Sequence, residues 1–238
     1  MATGGDFLTD RRVDPGVRIR TAAVLLFSQR GYAATSIRDI ARTVGLTNAG
    51  MYHHVTAKEL LLADIMRAGQ VALNESTDRA LAAVDRPEDA LAALISCLTA
   101  IHGSNRMLTR VADGELRSLT RGSAAYTEIV ALRDSHDDRW RRVLADGVEQ
   151  GVFTVANQRL TRLALMAMCT GTSEWFRPDG PATVEQVCEA FVGIGLAAVD
   201  ARRDGQPVPV ERTAKFDFSL VPEYPWEPTR HGLLEYLT

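Results

Sequence analysis

The chain has 238 residues, enough for one large domain or two modest ones and for a core that needs no disulfide or metal staple. Hydrophobic residues make up 46% and charged residues 24%, a balance that excludes a largely disordered, collagenous or coiled-coil chain. The net charge of −3 hides a division: residues 1–58 carry eight Lys/Arg against four Asp/Glu, whereas residues 59–238 carry 19 against 26, so only the first quarter suits a polyanion.

The N-terminal residues lack the basic and apolar regions of a secretory signal, and apolar runs such as Leu163 to Cys169 are too short to cross a bilayer. A cytoplasmic protein with no membrane partner is expected. Cys97, Cys169 and Cys188 lie far apart with no Cys-x-x-Cys pair, which reads as three reduced core thiols.

Helix signals dominate from the start. Residues 1–14 read as a flexible arm, and Pro15 then opens a helix whose Ile19, Ala22, Ala23, Leu26 and Phe27 recur near a 3.6 period until Gly31. Ser36 with Asp39 gives a capping-box start to a second helix, on which Ile37, Ile40, Ala41 and Val44 form the buried stripe before Gly45. Thr47 can cap a third helix of about two turns, and Thr56 with Glu59 reads as a capping box launching a long fourth helix.

Further helices are predicted from Pro87 to Gly103, from Asn105 to Leu119 and from Ala124 to Gln150, where His136-Asp137-Asp138 reads as a solvated face. The segment from about Asn157 to Gly171 is apolar on most sides and so must be enclosed by partners. A last helix is capped by Thr183 with Gln186, and Gly193 and Gly195 within it allow close packing. Residues 205–238 carry five prolines interleaved with five aromatics, which predicts an extended tail lying along the body or a second subunit.

The informative stretch is Thr35 to Leu61. A helix, a Gly-containing turn and a second helix form the helix-turn-helix layout, whose second helix can enter a DNA major groove. Ile40, Ala41, Val44, Leu46, Met51 and Val55 hold the helices together. Thr47, Asn48, Ala49, Gly50, Tyr52 and His53 are left for DNA: small residues at 49 and 50 let the backbone approach base edges, Asn48 can donate to and accept from one, and Thr47, Tyr52 and Lys58 suit phosphate oxygens. Arg38 could reach a guanine or a phosphate, and Thr35, Ser36 and His54 complete the expected DNA-binding set. The His53-His54 pair gives no metal site, because neighbours on a helix point about 100° apart; no metal, cofactor or catalytic residue is expected.

Ser36, Ile40-Ala41, Gly45-Leu46-Thr47, Met51-Tyr52, His54-Val55, Lys58 and Leu61 fit the spacing of the tetracycline-repressor (TetR/AcrR) signature, with Val55 where that family often has Phe. The chain therefore resembles this family of bacterial transcription regulators over roughly residues 15–204. Ala112 to Arg117, Ile129 to Asp134, Gly147 to Phe153, Met168 to Gly171 and Trp175 to Gly180 are similar to segments of actinobacterial regulators of lipid and sterol breakdown that sense acyl-coenzyme A thioesters.

The resemblance implies an all-α fold, with a DNA-binding domain at 15–58, a ligand-binding and dimerisation domain at 59–204 and the tail at 205–238. It implies a homodimer joined through the last two long helices, a near-palindromic double-stranded operator and a small-molecule effector of hydrophobic or acyl-coenzyme A type. The effector set expected from it is Leu98, His102, Arg106, Met107, Arg110, Met166, Cys169, Trp175 and Arg177. Arg106, Arg110, Arg117 and Arg177 suit coenzyme A phosphates through bidentate geometry, although surface ion pairs explain isolated arginines equally well, and Met166 and Trp175 are as readily core. A ligand-responsive repressor is the leading function, a ligand-blind or architectural DNA-binding protein the alternative; an enzyme lacks any Ser/His/Asp, Cys/His, P-loop or dinucleotide signature.

Overall fold

A computed structural model of the chain describes residues 4–233, with side chains from Phe7 onward. The fold is all-α, and the described residues fall into two compact units: one comprises residues 4–70, 105–131 and 223–233, the other residues 71–104 and 132–222.

In the first unit, α1 (Gly4–Thr9) occupies part of the segment expected to be a flexible arm, because Leu8 finds a buried site. Helix α2 (Pro15–Arg30) begins with Pro15 in its first turn and with the Asp14 carboxylate accepting from the Val17 N–H; its predicted apolar stripe is buried and Gly31, at φ +81°, ends it. The Ser36–Asp39 capping box forms at the head of α3 (Ile37–Thr43). Gly45 takes φ +69°, which lets the Leu46 N–H return to Ala41 O at 2.9 Å and turns the chain into α4 (Asn48–Tyr52). Helix α5 (Lys58–Ala82) follows. Glu59 does not serve the expected capping box: its carboxylate accepts the Thr120 N–H at 2.6 Å and the Thr120 hydroxyl at 3.0 Å. Helix α7 (Arg106–Gly114) is shorter than expected and passes through Glu115 into a 3-10 turn at Leu116–Ser118.

The second unit is built around α6 (Pro87–Ser104), whose Leu91, Leu94, Ile95, Leu98 and Ile101 are buried. Helix α11 (Val184–Ala198) lies closely along it, since Gly195 meets Ile95 Cδ1 where a β-carbon would stand, which bears out the close packing expected of that glycine. Trp140 on α8 (Ala124–Glu149) is wholly buried, and His136 lies edge-on to it at 6.5 Å. The 136–138 segment is therefore not a solvated face: His136 is 4% exposed, and Asp137 is paired with Arg141 and Arg162.

Helix α9 (Gln158–Thr170) departs furthest from its reading. Only Leu165 and Cys169 are buried, while Leu160 and Leu163 are 59% and 43% exposed. The described residues do not enclose this helix. After the short α10 (Thr172–Trp175) and α11, a two-residue hairpin pairs β1 (Arg202–Arg203) with β2 (Gln206–Pro207), a strand pair too brief to signal itself in sequence. Arg203 grips the buried Glu88 through Nε at 2.6 Å and Nη2 at 2.9 Å. The tail is not a single extended run, since 3-10 turns form at Val210–Arg212, Phe218–Leu220 and Pro228–His231. Up to Pro222 it packs on the second unit; beyond Glu223 it joins the first.

Candidate DNA interface and effector residues

The helix-turn-helix is held from inside. Met51 is fully buried beneath α4, Ile40, Ala41 and Val44 are buried on the preceding side, and Val55 closes the module at 8% exposure. Valine where the family pattern often has Phe still reaches the core. Arg18 of α2, itself 5% exposed, donates through Nη1 to Val44 O at 3.2 Å and to Leu8 O at 3.4 Å. A guanidinium thus satisfies a carbonyl at the end of α3 and ties it to α1 and α2, a role that the periodicity of α2 does not reveal.

Eight of the eleven expected DNA-binding residues stand in solvent: Ser36, Arg38, Thr47, Asn48, Ala49, Tyr52, His53 and His54 are exposed, Tyr52 at 57%. Gly50 is half-buried, and Ser36 is exposed but has its hydroxyl engaged with Asp39. That hydrogen bond, joined by the Ser36 N–H, holds the Asp39 carboxyl below the usual carboxylate range. The Thr47 hydroxyl accepts the Gly50 N–H at 3.1 Å.

Two residues are placed otherwise. Thr35 is 2% exposed, its hydroxyl donating to Gly31 O at 3.0 Å. The Lys58 ammonium donates to Tyr32 O at 2.8 Å and to Thr35 O at 2.7 Å, and stands 4.0 Å from the centre of the Tyr32 ring. Burial pulls its pKa below the ordinary lysine value, with Glu115 opposing. The Lys58 ammonium is thus engaged inside the module, with one of its three N–H groups left for the phosphate contact expected from sequence. Arg42, whose side chain is 83% exposed, lies four residues on from Arg38 and so on the same face of α3.

The nine expected effector residues do not assemble within one unit. Leu98, His102, Met166, Cys169, Trp175 and Arg177 belong to the second, Arg106, Met107 and Arg110 to the first. Leu98, His102 and Cys169 are core, with His102 Nδ1 donating to Leu98 O at 2.8 Å on its own helix, and Met166 is half-buried. Trp175 is 51% exposed, and Arg177 is exposed with Nη1 turned back to Phe176 O at 3.1 Å. Arg106 and Met107 are buried on α7, and Arg110 is half-buried. The second unit also has a cleft of about 510 Å³ between α6, α11 and the tail, lined by Cys188, Val192, Phe216 and Phe218, and none of the expected effector residues borders it.

A basic helix-turn-helix on an all-α body defines a DNA-binding transcription regulator. The comparisons give the family: residues 19–65 match "Bacterial regulatory proteins, tetR family" and residues 84–199 match "Tetracyclin repressor-like, C-terminal domain". The chain belongs to the TetR family of transcription regulators. Among curated relatives it is 27% identical over 180 residues to the HTH-type transcriptional repressor KstR2 of Rhodococcus jostii, covering 73% of this chain and 85% of that one. Among solved structures it is 33% identical to the TetR family regulator PfmR of Thermus thermophilus (TM-score 0.68; 78% of this chain, 100% of that one). It is 27% identical to AibR solved with isovaleryl coenzyme A and operator DNA (TM-score 0.66; 75% and 97%). The family and these relatives are regulators and not enzymes. No helix among the described residues is long and apolar enough to cross a membrane.

Proposed function

We propose that the protein is a cytoplasmic homodimeric repressor that binds a near-palindromic operator through paired α4 helices and is released by a hydrophobic or acyl-coenzyme A effector, in the control of lipid, sterol or related catabolism. The observation that carries the reading is the division of α4: Met51 is wholly buried while Asn48, Ala49, Tyr52 and His53 face solvent. That face is polar and small-sided, and its size suits a major groove.

Dimerisation is supported by the uncovered apolar face of α9 and α11. Leu160, Leu163, Ala164 and Ala167 on one helix, and Ala190, Ile194, Ala197 and Ala198 on the other, are all exposed. Two such helices meeting their copies would form a four-helix contact, and the small side chains would permit close approach. Two bound heads then require half-sites about 34–36 Å apart. Helices α5 and α8 each carry residues of both units, so a packing change at an effector would be transmitted through continuous helix. An effector class is supported by the relatives, AibR having been solved with isovaleryl coenzyme A. The sterol or lipid setting is supported by the likeness to KstR2.

A mobility-shift titration on the DNA upstream of the protein's own gene, repeated across salt and with acyl-coenzyme A thioesters, tests the reading. Specific binding that a thioester releases supports it. Specific binding indifferent to every thioester returns the ligand-blind alternative, and no preference over competitor duplex overturns it.

A further inference from the structure

The segment Glu223 to Leu233 lies more than twenty residues beyond the last position matched by the family's C-terminal domain, which ends at 199. It nevertheless contributes side chains to the interior of the first unit. Tyr224, Glu227, Pro228 and Leu233 are all buried, Glu227 and Leu233 at 0% exposure. These side chains attach at two places.

On one side the segment holds α5 and α7. Tyr224 donates its hydroxyl to Gly69 O of α5 at 3.3 Å. Glu227 accepts the Leu108 N–H of α7 at 3.0 Å, so that a carboxylate from the distant tail satisfies a free amide in the first turn of that helix, where Asn105 provides no side-chain cap. On the other side the segment holds α1 and α2. His231 stacks on Phe7 with ring centres 3.6 Å apart, while its Nε2 donates to Pro225 O at 2.7 Å and fixes the ring. The Arg20 guanidinium sits 5.3 Å from the Trp226 ring centre. Arg18, two residues from Arg20, is the residue that reaches Val44 O at the helix-turn-helix turn.

We propose that Glu223 to Leu233 is a strap that positions the helix-turn-helix for operator recognition, tying α1 and α2 to α5 and α7. Trp226 and His231 are its positioning residues. A head with a single allowed setting binds its half-site without ordering itself first, which favours the registered complex on operator more than loose attachment to random duplex. The inference rests on the DNA-binding reading of α4.

The test uses the full chain carrying Trp226→Ala and His231→Ala, which leaves the buried anchors Tyr224, Glu227 and Leu233 in place. Operator affinity is expected to fall roughly three- to tenfold, the scale of one cation–π contact and one ring stack. Affinity for random duplex should stay within about a factor of two, because phosphate contacts supply it. Amide exchange in α2 to α4 should quicken. Trp226→Phe alone, which keeps an aromatic face for Arg20, should restore most of the operator affinity relative to Trp226→Ala. Equal losses on operator and random duplex, or no loss on either, overturn the strap. If the unaltered chain itself prefers no duplex, the repressor reading falls, and the exchange of α2 to α4 in the double variant still decides whether the segment holds those helices.

Discussion

Lys58 donates its ammonium to the backbone carbonyl of Thr35 at 2.7 Å, across 23 residues of sequence, and so closes the helix-turn-helix module on itself. Its second bond, to Tyr32 O, places the cation against the Tyr32 ring. Without the ammonium the Thr35 carbonyl would lose its donor, and the Tyr32 carbonyl would keep only the Thr35 N–H at 3.2 Å. Lys58→Met should therefore destabilise the protein by about 1.5–3 kcal/mol, the usual scale for hydrogen bonds to a charged group. The salt dependence of binding to random duplex should not change if the ammonium serves only the module. Chemical denaturation and a salt titration read the two effects separately; an unchanged denaturation midpoint with a flattened salt slope would return Lys58 to the DNA.

Arg38 and Tyr52 should behave in the opposite way. Both are exposed, and neither side chain supports the module from within. Exposed substitutions of this kind change stability by about 0.5 kcal/mol or less. Arg38→Ala should lower the slope of log affinity against log salt by about one if the guanidinium meets a phosphate. Tyr52→Ala should weaken binding to all duplexes alike. Melting temperatures equal to the parent, with weaker DNA binding, are the expected pair of results. A Tyr52→Ala protein that binds as well as the parent removes that residue from the interface.

These contrasting expectations mark what could be read from the sequence. The helices of the head were legible because local chemistry decides them: Ser36 and Asp39 form their box, Gly45 turns left-handed, and Met51 is buried four residues before a buried Val55. The engagement of Lys58 was not legible because its carbonyl partners lie 23 and 26 residues away, and no spacing rule tells a lysine that meets phosphate from one that meets carbonyls. Glu59 was misread for the same reason, its acceptor role being set by Thr120 some sixty residues away. The apolar character of α9 was plain, yet only the fold reveals that Leu160 and Leu163 stand exposed among the described residues. The tail's aromatics signalled contact, but the pairing of His231 with Phe7 joins positions 224 residues apart.

The three thiols should resist modification. Cys97, Cys169 and Cys188 are free and buried, and burial pushes each up to about 12. Against the ordinary value of 9.0, the thiolate fraction at pH 8 falls by roughly 10³, before any loss of access is counted, because the thiolate is the reacting species. A disulfide reagent should therefore titrate no thiol rapidly in the native protein and three in denaturant. Rapid native reaction of any one would show that its surroundings open.

The α9–α11 face gives a prediction about assembly. Ile194 is 52% exposed and Leu160 59%, and neither supports its own unit's core. Ile194→Glu with Leu160→Glu should leave the isolated fold intact and place charges in the proposed subunit contact, where burying them unpaired costs several kcal/mol. Sedimentation should then report a monomer where the parent is a dimer, with the helical circular dichroism retained. A parent that is already monomeric at micromolar concentration would contradict the assignment of this face.

Glu227 supplies a pH dependence whose sign can be worked out. Burial raises its pKa above the ordinary 4.5, although the N–H groups of Leu108, Thr229 and Met107 and the Thr229 hydroxyl work in the other direction. The folded protein therefore binds this proton more tightly than the unfolded chain does. Stability linked to Glu227 is fully present below the unfolded pKa and is lost as pH rises through the raised folded value. Glu227→Gln keeps an oxygen able to accept the Leu108 N–H, and it has no charge to bury. The melting temperature of the variant relative to the parent should thus climb as pH is taken from about 4.5 upward, the window opening at the unfolded carboxylate value. A difference that is constant across that range, or one that falls, would mean that the carboxylate is stabilised in its ionised form by its amide partners.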